Sequence, residues 1–332
     1  MDWSRAKTIL IIAFGLLNAM LYWQVYVLPG PLPTPSFLAE PTPAQVAADL
    51  AAVGLELRGD IPSTPAPLPV LEAEPRAQGD PDALAVQFFD PVPPPQDWDE
   101  AGSHMYTQGK RALILAPGLV QFTDGNAGRT TPAGTRGQVI SPCPAGFTTL
   151  TGRSAFIDNL MDEGLEFIEA HGGAPADVQR ATVDPDPARG TIRVWLHQTL
   201  AGGTPVFNGY VEACMTEAGV ARYTRLLWDV DRLLDQGDAV IPASVLLTRE
   251  ARRGGSLYQR ARSDEVQQLT VQIGYVVVPS TSVPPAVLLR DEGPLPPFVA
   301  VPVWRFHLSS GEWLDFEATT GQRVDYTSAG TF

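Results

Sequence analysis

The chain has 332 residues, 44% of them hydrophobic, with 23 Lys and Arg against 37 Asp and Glu and a formal net charge of -14. That balance argues against a nucleic-acid binder, which needs clustered positive charge to neutralise phosphates, and against a protein lying flat on an anionic membrane. The length allows one large domain or two medium ones.

The first element is an apolar run. Residues 8–28 carry no charge, and the next charged residue is Glu40. The run matches the ~20 residues that an α-helix needs to cross a bilayer core. Arg5 and Lys7 precede it, so residues 1–7 are expected in the cytoplasm and everything after Leu28 outside. Tyr22, Trp23 and Tyr26 stand near the outer end, where amphipathic rings favour the headgroup level. A cleaved signal peptide would have a shorter apolar core and a small-x-small cleavage site; here the run ends in Leu28-Pro29-Gly30-Pro31. The reading is an uncleaved anchor. Within it Ile11, Gly15, Asn18 and Tyr22 share one helical face, and Gly15-x-x-x-Ala19 is a small-x-x-x-small pattern. Asn18 lies at the midpoint, where an amide is costly unless paired, so this face is the candidate for packing against other membrane helices.

Residues 29–42 form a Pro-rich spacer that leans towards polyproline II. A first α+β module is expected over 43–150. Thr42-Pro43 reads as a helix cap and first position, with a helix over 44–53 and Gly54 as its stop. Short strands are expected at 67–72 and 83–89 among Pro-rich loops. A strand pair follows at 111–116 and 119–123, turned by Pro117-Gly118, and then a long loop over 124–146.

A second unit, 151–235, opens with a helix over 154–171. Phe156, Ile157, Leu160, Met161, Leu165 and Ile168 give it a stripe of 3.6-residue period, and Gly172-Gly173 closes it. Strands are expected at 191–200, 205–216 and 220–230, the last two joined by a hairpin at 216–219. A third unit, 240–326, repeats the order: a helix over 242–253, a long strand over 266–278, and a hairpin of 299–308 with 312–317. The fold class is therefore α+β: one N-terminal transmembrane helix, then an ectodomain of helix-plus-antiparallel-sheet modules over 43–150 and 151–326.

No catalytic constellation emerges. His104, His171, His197 and His307 lack H-E-x-x-H partners or helical spacing, so no metal ligand set is assigned. Asp184-x-Asp186 resembles the start of a calcium loop, but Pro185 and Pro187 interrupt it and Trp195 stands at the twelfth position; it reads as a turn. Gly152-Arg153-Ser154 reads as a helix cap rather than a nucleophile elbow, and no Gly-Lys-Ser/Thr phosphate loop is present. Trp304-Arg305 and Trp313 read as strand core or a stacking surface. Cys143 and Cys214, the only cysteines, leave their pairing open. The reading is a non-enzyme without cofactor.

Met1-Asp2-Trp3-Ser4, the Arg5/Lys7 pair, Thr8-Ile9 and the run ending in Leu17-Asn18 resemble the opening of the YycI family. Phe207-Asn208-Gly209, Ile273-Gly274-Tyr275, Pro302-Val303-Trp304-Arg305 and Ala318-Thr319-Thr320-Gly321 resemble segments of that family in the same order. The final unit also resembles PepSY-like modules. The resemblance implies a single-pass cell-membrane regulator of a YycG/WalK-type sensor histidine kinase that controls cell-wall metabolism, partnered by a YycH-type protein. The alternative is an anchored cell-wall module whose PepSY-like units bind peptide or inhibit a protease.

Overall fold

The computed structural model describes residues 40–65, 67–97, 103–128, 143, 154–186, 189–235, 238–252, 266–283, 296–309 and 313–324. Thr42 caps the first helix as the sequence suggests. Its hydroxyl accepts from the Gln45 N–H, and its own N–H donates to the Gln45 carboxamide at 2.9 Å, so two orphan donors are satisfied reciprocally. Helix α1 is Pro43–Ala51; Gly54, at φ 78°, turns the chain into β1, Leu55–Leu57.

Strand β2 is Val70–Pro75, displaced towards the C-terminus from the expected 67–72. The strand expected at 83–89 is instead a short helix, α2, Pro81–Ala85. Asp80 accepts from the Asp82 N–H and Pro81 fills the first turn, and these start signals outweigh the apolar run that follows. Phe88 and Phe89 are buried all the same. A meander follows: β3 Gln96–Asp97, β4 His104–Gln108, β5 Arg111–Ala116 and β6 Leu119–Asp124, each antiparallel to the next.

Helix α3, Ser154–Ala170, matches the expected span. Gly164 interrupts its apolar stripe at some cost in helix propensity. A Cβ there would stand 2.9 Å from the Val194 side chain, so glycine permits close approach to the sheet. Strand β7, Val178–Asp186, was not expected; Asp184 and Asp186 belong to its end, and Asp186 accepts from the Arg189 N–H in the turn that follows. Strands β8, Thr191–Thr199, and β9, Pro205–Thr216, come next. The single strand expected at 220–230 is two: β10 Gly219–Leu226 and β11 Trp228–Asp235. The break is Leu227, whose N–H donates to Gly118 and whose carbonyl accepts from Arg76. Helix α4, Ala243–Arg252, leads to β12, Gln267–Pro279. A short 3-10 turn over Ser280–Ser282 follows, and then β13 Phe298–Leu308, β14 Trp313–Glu317 and β15 Arg323–Val324.

The architecture is mixed α+β, mostly sheet with few helices. Among the described residues 15 strands join one branched sheet, in which β9, β12 and β13 each pair with three strands; β9 joins its two long limbs. It pairs antiparallel with β8 and β10, and in parallel with β12 at Val206–Tyr275. One limb runs β10-β6-β5-β4-β3; the other runs β12-β13-β2-β11, with β14 and β15 beside β13. The described elements of 43–150 divide between the limbs: β1 pairs in parallel with β12, β2 lies between β11 and β13, and β6 lies on β10. Leu160 and Ile168 of α3 enter a core with Val194, Val211, Met215, Phe122 and Leu113. Val46 and Leu50 of α1 meet Leu246 and Leu247 of α4 over Leu269, Trp304 and Phe306.

Arg76, just after β2, fastens the β2–β11 pair to the start of the β7–β8 hairpin. Its guanidinium holds Asp177 in a bidentate pair at 2.9 and 2.6 Å, reaches Asp229 at 2.8 Å, and donates to the Trp228 carbonyl. The Gln198 carboxamide closes the node by donating to Asp177 and Trp228 and accepting from the Trp228 N–H. The Arg76 hydrogen bond holds the Asp177 carboxyl below its ordinary 3.8, against an opposing effect of burial. A depressed folded-state pKa contributes stability that is present above the unfolded value and lost as pH falls through the folded one. Thermal midpoints measured downward from pH 6 should therefore drop less steeply below about pH 3.8 in Asp177→Asn than in wild type. Identical acid slopes would remove Asp177 from the acid-sensitive set.

Candidate functional site

The chemistry-bearing side chains gather in a seam between the β7–β8 and β13–β14 hairpins. Period-two alternation puts Val303, Arg305 and His307 of β13 on one face, and the β13–β14 register sets Asp315 opposite Arg305 and Trp313 opposite His307. Arg305 and Asp315 form a bidentate pair at 2.8 and 2.7 Å, with side chains only 6% and 0% exposed. The same guanidinium lies 4.0 Å from the Phe207 ring centroid and 5.0 Å from that of Trp313. Trp313 meets Trp195 of β8 edge-on at 6.0 Å. Trp195 in turn stacks on His197 at 4.8 Å, touches Tyr210 at 5.3 Å, and carries the Arg193 guanidinium at 5.0 Å. Its Nε1 is buried without a hydrogen-bond partner among the described residues.

A second buried pair lies on β9. Glu212 sits opposite Trp195 in the β8–β9 register and holds Arg222 at 2.6 Å and Arg193 at 3.4 Å. Cys214, two residues on, is disulfide-bonded to Cys143, which settles the pairing that the sequence left open. Cys143, Glu212 and Cys214 place their ligand atoms within 4.8 Å of one another, but the two sulfurs are bonded to each other and Glu212 is engaged by arginine. That donor set does not fit a metal ion.

Burial, and then the Glu212 charge, push the Tyr210 phenol well above its ordinary value. His307 keeps an exposed edge. Loss of solvent on its sheet side, and then the Arg305 charge, hold its imidazole below the ordinary 6.5, with Asp184 opposing. His307 is thus biased towards the neutral form beside Trp313.

The four distal segments singled out in sequence converge here. Asn208 receives the Val277 N–H at 2.9 Å and donates to the Val277 carbonyl at 2.7 Å, so its carboxamide continues the β9–β12 ladder past its one backbone pairing. Gly274 leaves room for that junction: a Cβ would stand 2.6 Å from the Pro205 carbonyl and 2.8 Å from the Phe207 ring. Pro302 accepts from the Ala318 N–H, and the buried Glu317 carboxylate accepts from the N–H and hydroxyl of both Thr319 and Thr320.

Ile11, Gly15, Asn18, Ala19 and Tyr22, expected on one face of a membrane helix, lie outside the described residues, as do Gly152 and Arg153. Among the described residues no helix is long and apolar enough to cross a membrane. His197 and His307 are strand residues as expected; His104 opens β4, and His171 stacks on Phe167 at 3.7 Å. Trp304 is wholly buried, the core alternative of its two readings, while Trp313 is half-buried in the seam. Sequence reasoning missed Arg76, Asp177, Arg193, Glu212 and Arg222. For three of these the signal was there: Arg193, Glu212 and Arg222 stand in strands whose neighbours are otherwise apolar.

A scan of protein families finds no match, and no curated protein matches. Among solved structures, an uncharacterized protein from Eubacterium rectale is similar at 12% identity and a TM-score of 0.44, with 82% of this chain and 91% of that chain covered. The Bacillus megaterium YpeB C-terminal domain is similar at 10% identity and a TM-score of 0.30, covering 69% of this chain and 85% of that chain. At these scores neither likeness carries an argument.

Proposed function

We propose that this protein is a single-pass, membrane-anchored accessory regulator of a YycG/WalK-type sensor histidine kinase, acting as a binding protein rather than an enzyme and alongside a YycH-type partner. One observation carries the reading: the opening from Met1 to Asn18, with its basic pair, uncharged run and mid-span asparagine, resembles the YycI family. The Cys143–Cys214 disulfide supports an ectodomain outside the cytoplasm, where such bonds form and persist. In this reading the anchor packs against the kinase's membrane helices through Ile11, Gly15, Asn18, Ala19 and Tyr22 and favours one arrangement of the bundle by binding it differentially. The rival reading, an anchored PepSY-like module that binds peptide or inhibits a protease, draws its support from the aromatic seam around Trp195 and Trp313.

Helix exchange separates the two. Asn18→Leu should insert at least as well as wild type. It loses an interhelical hydrogen bond of about 1 kcal/mol, so crosslinking to the kinase helices should fall several-fold at matched expression. Gly15→Ile should act the same way by blocking close approach. If both variants, and an anchor of unrelated sequence, crosslink like wild type, the anchor is only a tether and the rival reading gains.

A further inference from the structure

Glu40 and Asp49 are tied to residues about two hundred positions later in the chain. Glu40 accepts from the Ser244 hydroxyl at 3.0 Å, at the start of α4. Asp49 on α1 holds Arg252, at the end of α4, at 3.0 Å. Between these two ties, Val46 and Leu50 are wholly buried against Leu246 and Leu247. The chain then adds β1 to the edge of β12, with Gln267 donating to the Gly54 carbonyl and Arg58 donating to Leu269. Helix α1 and strand β1 are thus part of the limb built on β12 and β13.

Helix α4 in turn grips the turn after β14 at two points. Arg249 donates to the Gly321 carbonyl, and Ile241, just before the helix, donates to Ala318 and accepts from the Trp304 indole at 2.8 Å. That turn is bound to the seam, because Ala318 donates to Pro302 and Glu317 receives Thr319 and Thr320. Gly321 packs closely against α4: it has φ 66°, and a Cβ there would fall 2.6 Å from the Leu246 side chain and 2.8 Å from the Arg249 guanidinium. Beyond Pro302 and Glu317 the next polar pair is Arg305–Asp315, against Trp313 and Trp195. A continuous set of bonded and packed groups therefore runs from Glu40 and α1 to the aromatic seam.

We propose that α1 and α4 form a coupling arm, a device that ties the position of the chain at Glu40 to the Ala318–Gly321 turn and through it to the Trp195–Trp313 seam. The inference rests on the reading that the chain before Glu40 leads to a membrane anchor. The arm makes displacement of that anchor and rearrangement of the seam the same event, so a partner that grips one biases the other.

The test is amide hydrogen exchange on the full chain in lipid nanodiscs. Glu40→Ala/Asp49→Arg removes the two polar ties and leaves Val46 and Leu50 in place. Exchange should rise roughly threefold or more in 241–251 and in 317–322, with a smaller rise in 303–307 and 191–199, because loosened ties lower the cost of local opening along the connected groups. Arg232→Ala, which removes a pair with Glu72 on the far side of the limb, should leave those segments unchanged. Faster exchange confined to 43–51 would overturn the proposal and make α1 a passive tether. Should the double variant open globally, Ser244→Ala supplies the milder cut, with the same pattern expected and the same confined result overturning it. Carbonate extraction of the same membranes reports separately on the anchor. Extractable protein with a spreading exchange response would defeat the membrane reading and keep the coupling, and the reverse outcome would do the opposite.

Discussion

Asp315→Ala should destabilise the fold by about 3–5 kcal/mol, because it takes a bidentate carboxylate from a guanidinium that is only 6% exposed. Arg305 and Asp315 face each other in the β13–β14 register, and both side chains are buried there. The Phe207 and Trp313 rings that flank Arg305 offer it π-faces worth far less than the lost carboxylate. Arg305→Met/Asp315→Leu removes both charges at similar volume and should recover most of the loss, since a buried pair contributes little net stability over well-packed apolar groups. Urea midpoints at constant slope are the measurement. If the double variant is no more stable than Asp315→Ala, the pair's geometry rather than its charge balance holds the seam.

What the sequence announced and what it withheld divide along a physical line. Helices α1, α3 and α4 were legible because caps and 3.6-residue stripes are local: Thr42-Pro43, the Phe156–Ile168 stripe, and Gly172-Gly173 act within a few residues. Hairpins β5–β6, β9–β10 and β13–β14 were legible for the same reason. Branching was not. Nothing local in residues 70–75 says that β2 will lie between β11 and β13, and nothing in Val206 marks it as the single bridge to Tyr275. The division of 220–230 at Leu227 depends on Gly118 and Arg76, each about a hundred residues or more away. Strand β7 was hidden by Pro185, which an edge strand tolerates, and by an Asp-x-Asp that looked like a turn. Of the seam, Trp313 and Arg305 were noticed as ring and charge on strands. Their meeting with Trp195 and Phe207 is a consequence of topology.

Loss of the Cys143–Cys214 bond should have an effect of comparable size, through the unfolded state. The bond joins residues 71 apart in sequence, and closing a loop of that length removes enough chain entropy to be worth about 4 kcal/mol. Its native surroundings add a second cost. Cys214 is wholly buried on β9, beside the Glu212 carboxylate that Arg222 and Arg193 hold. The meander is held independently of it: Arg111 of β5 pairs with Asp124 of β6 at 2.8 Å, and the Thr216 hydroxyl of β9 donates to the Ala127 carbonyl. Cys143→Ser should therefore lower the urea midpoint strongly, while the α3 and β8–β10 core, built on Leu160, Val194 and Met215, still folds. Dithiothreitol should bring wild type to the midpoint of Cys143→Ser and leave the variant where it was. A wild-type midpoint indifferent to reductant, with the free thiols verified, would mean that the bond adds nothing to the fold's stability.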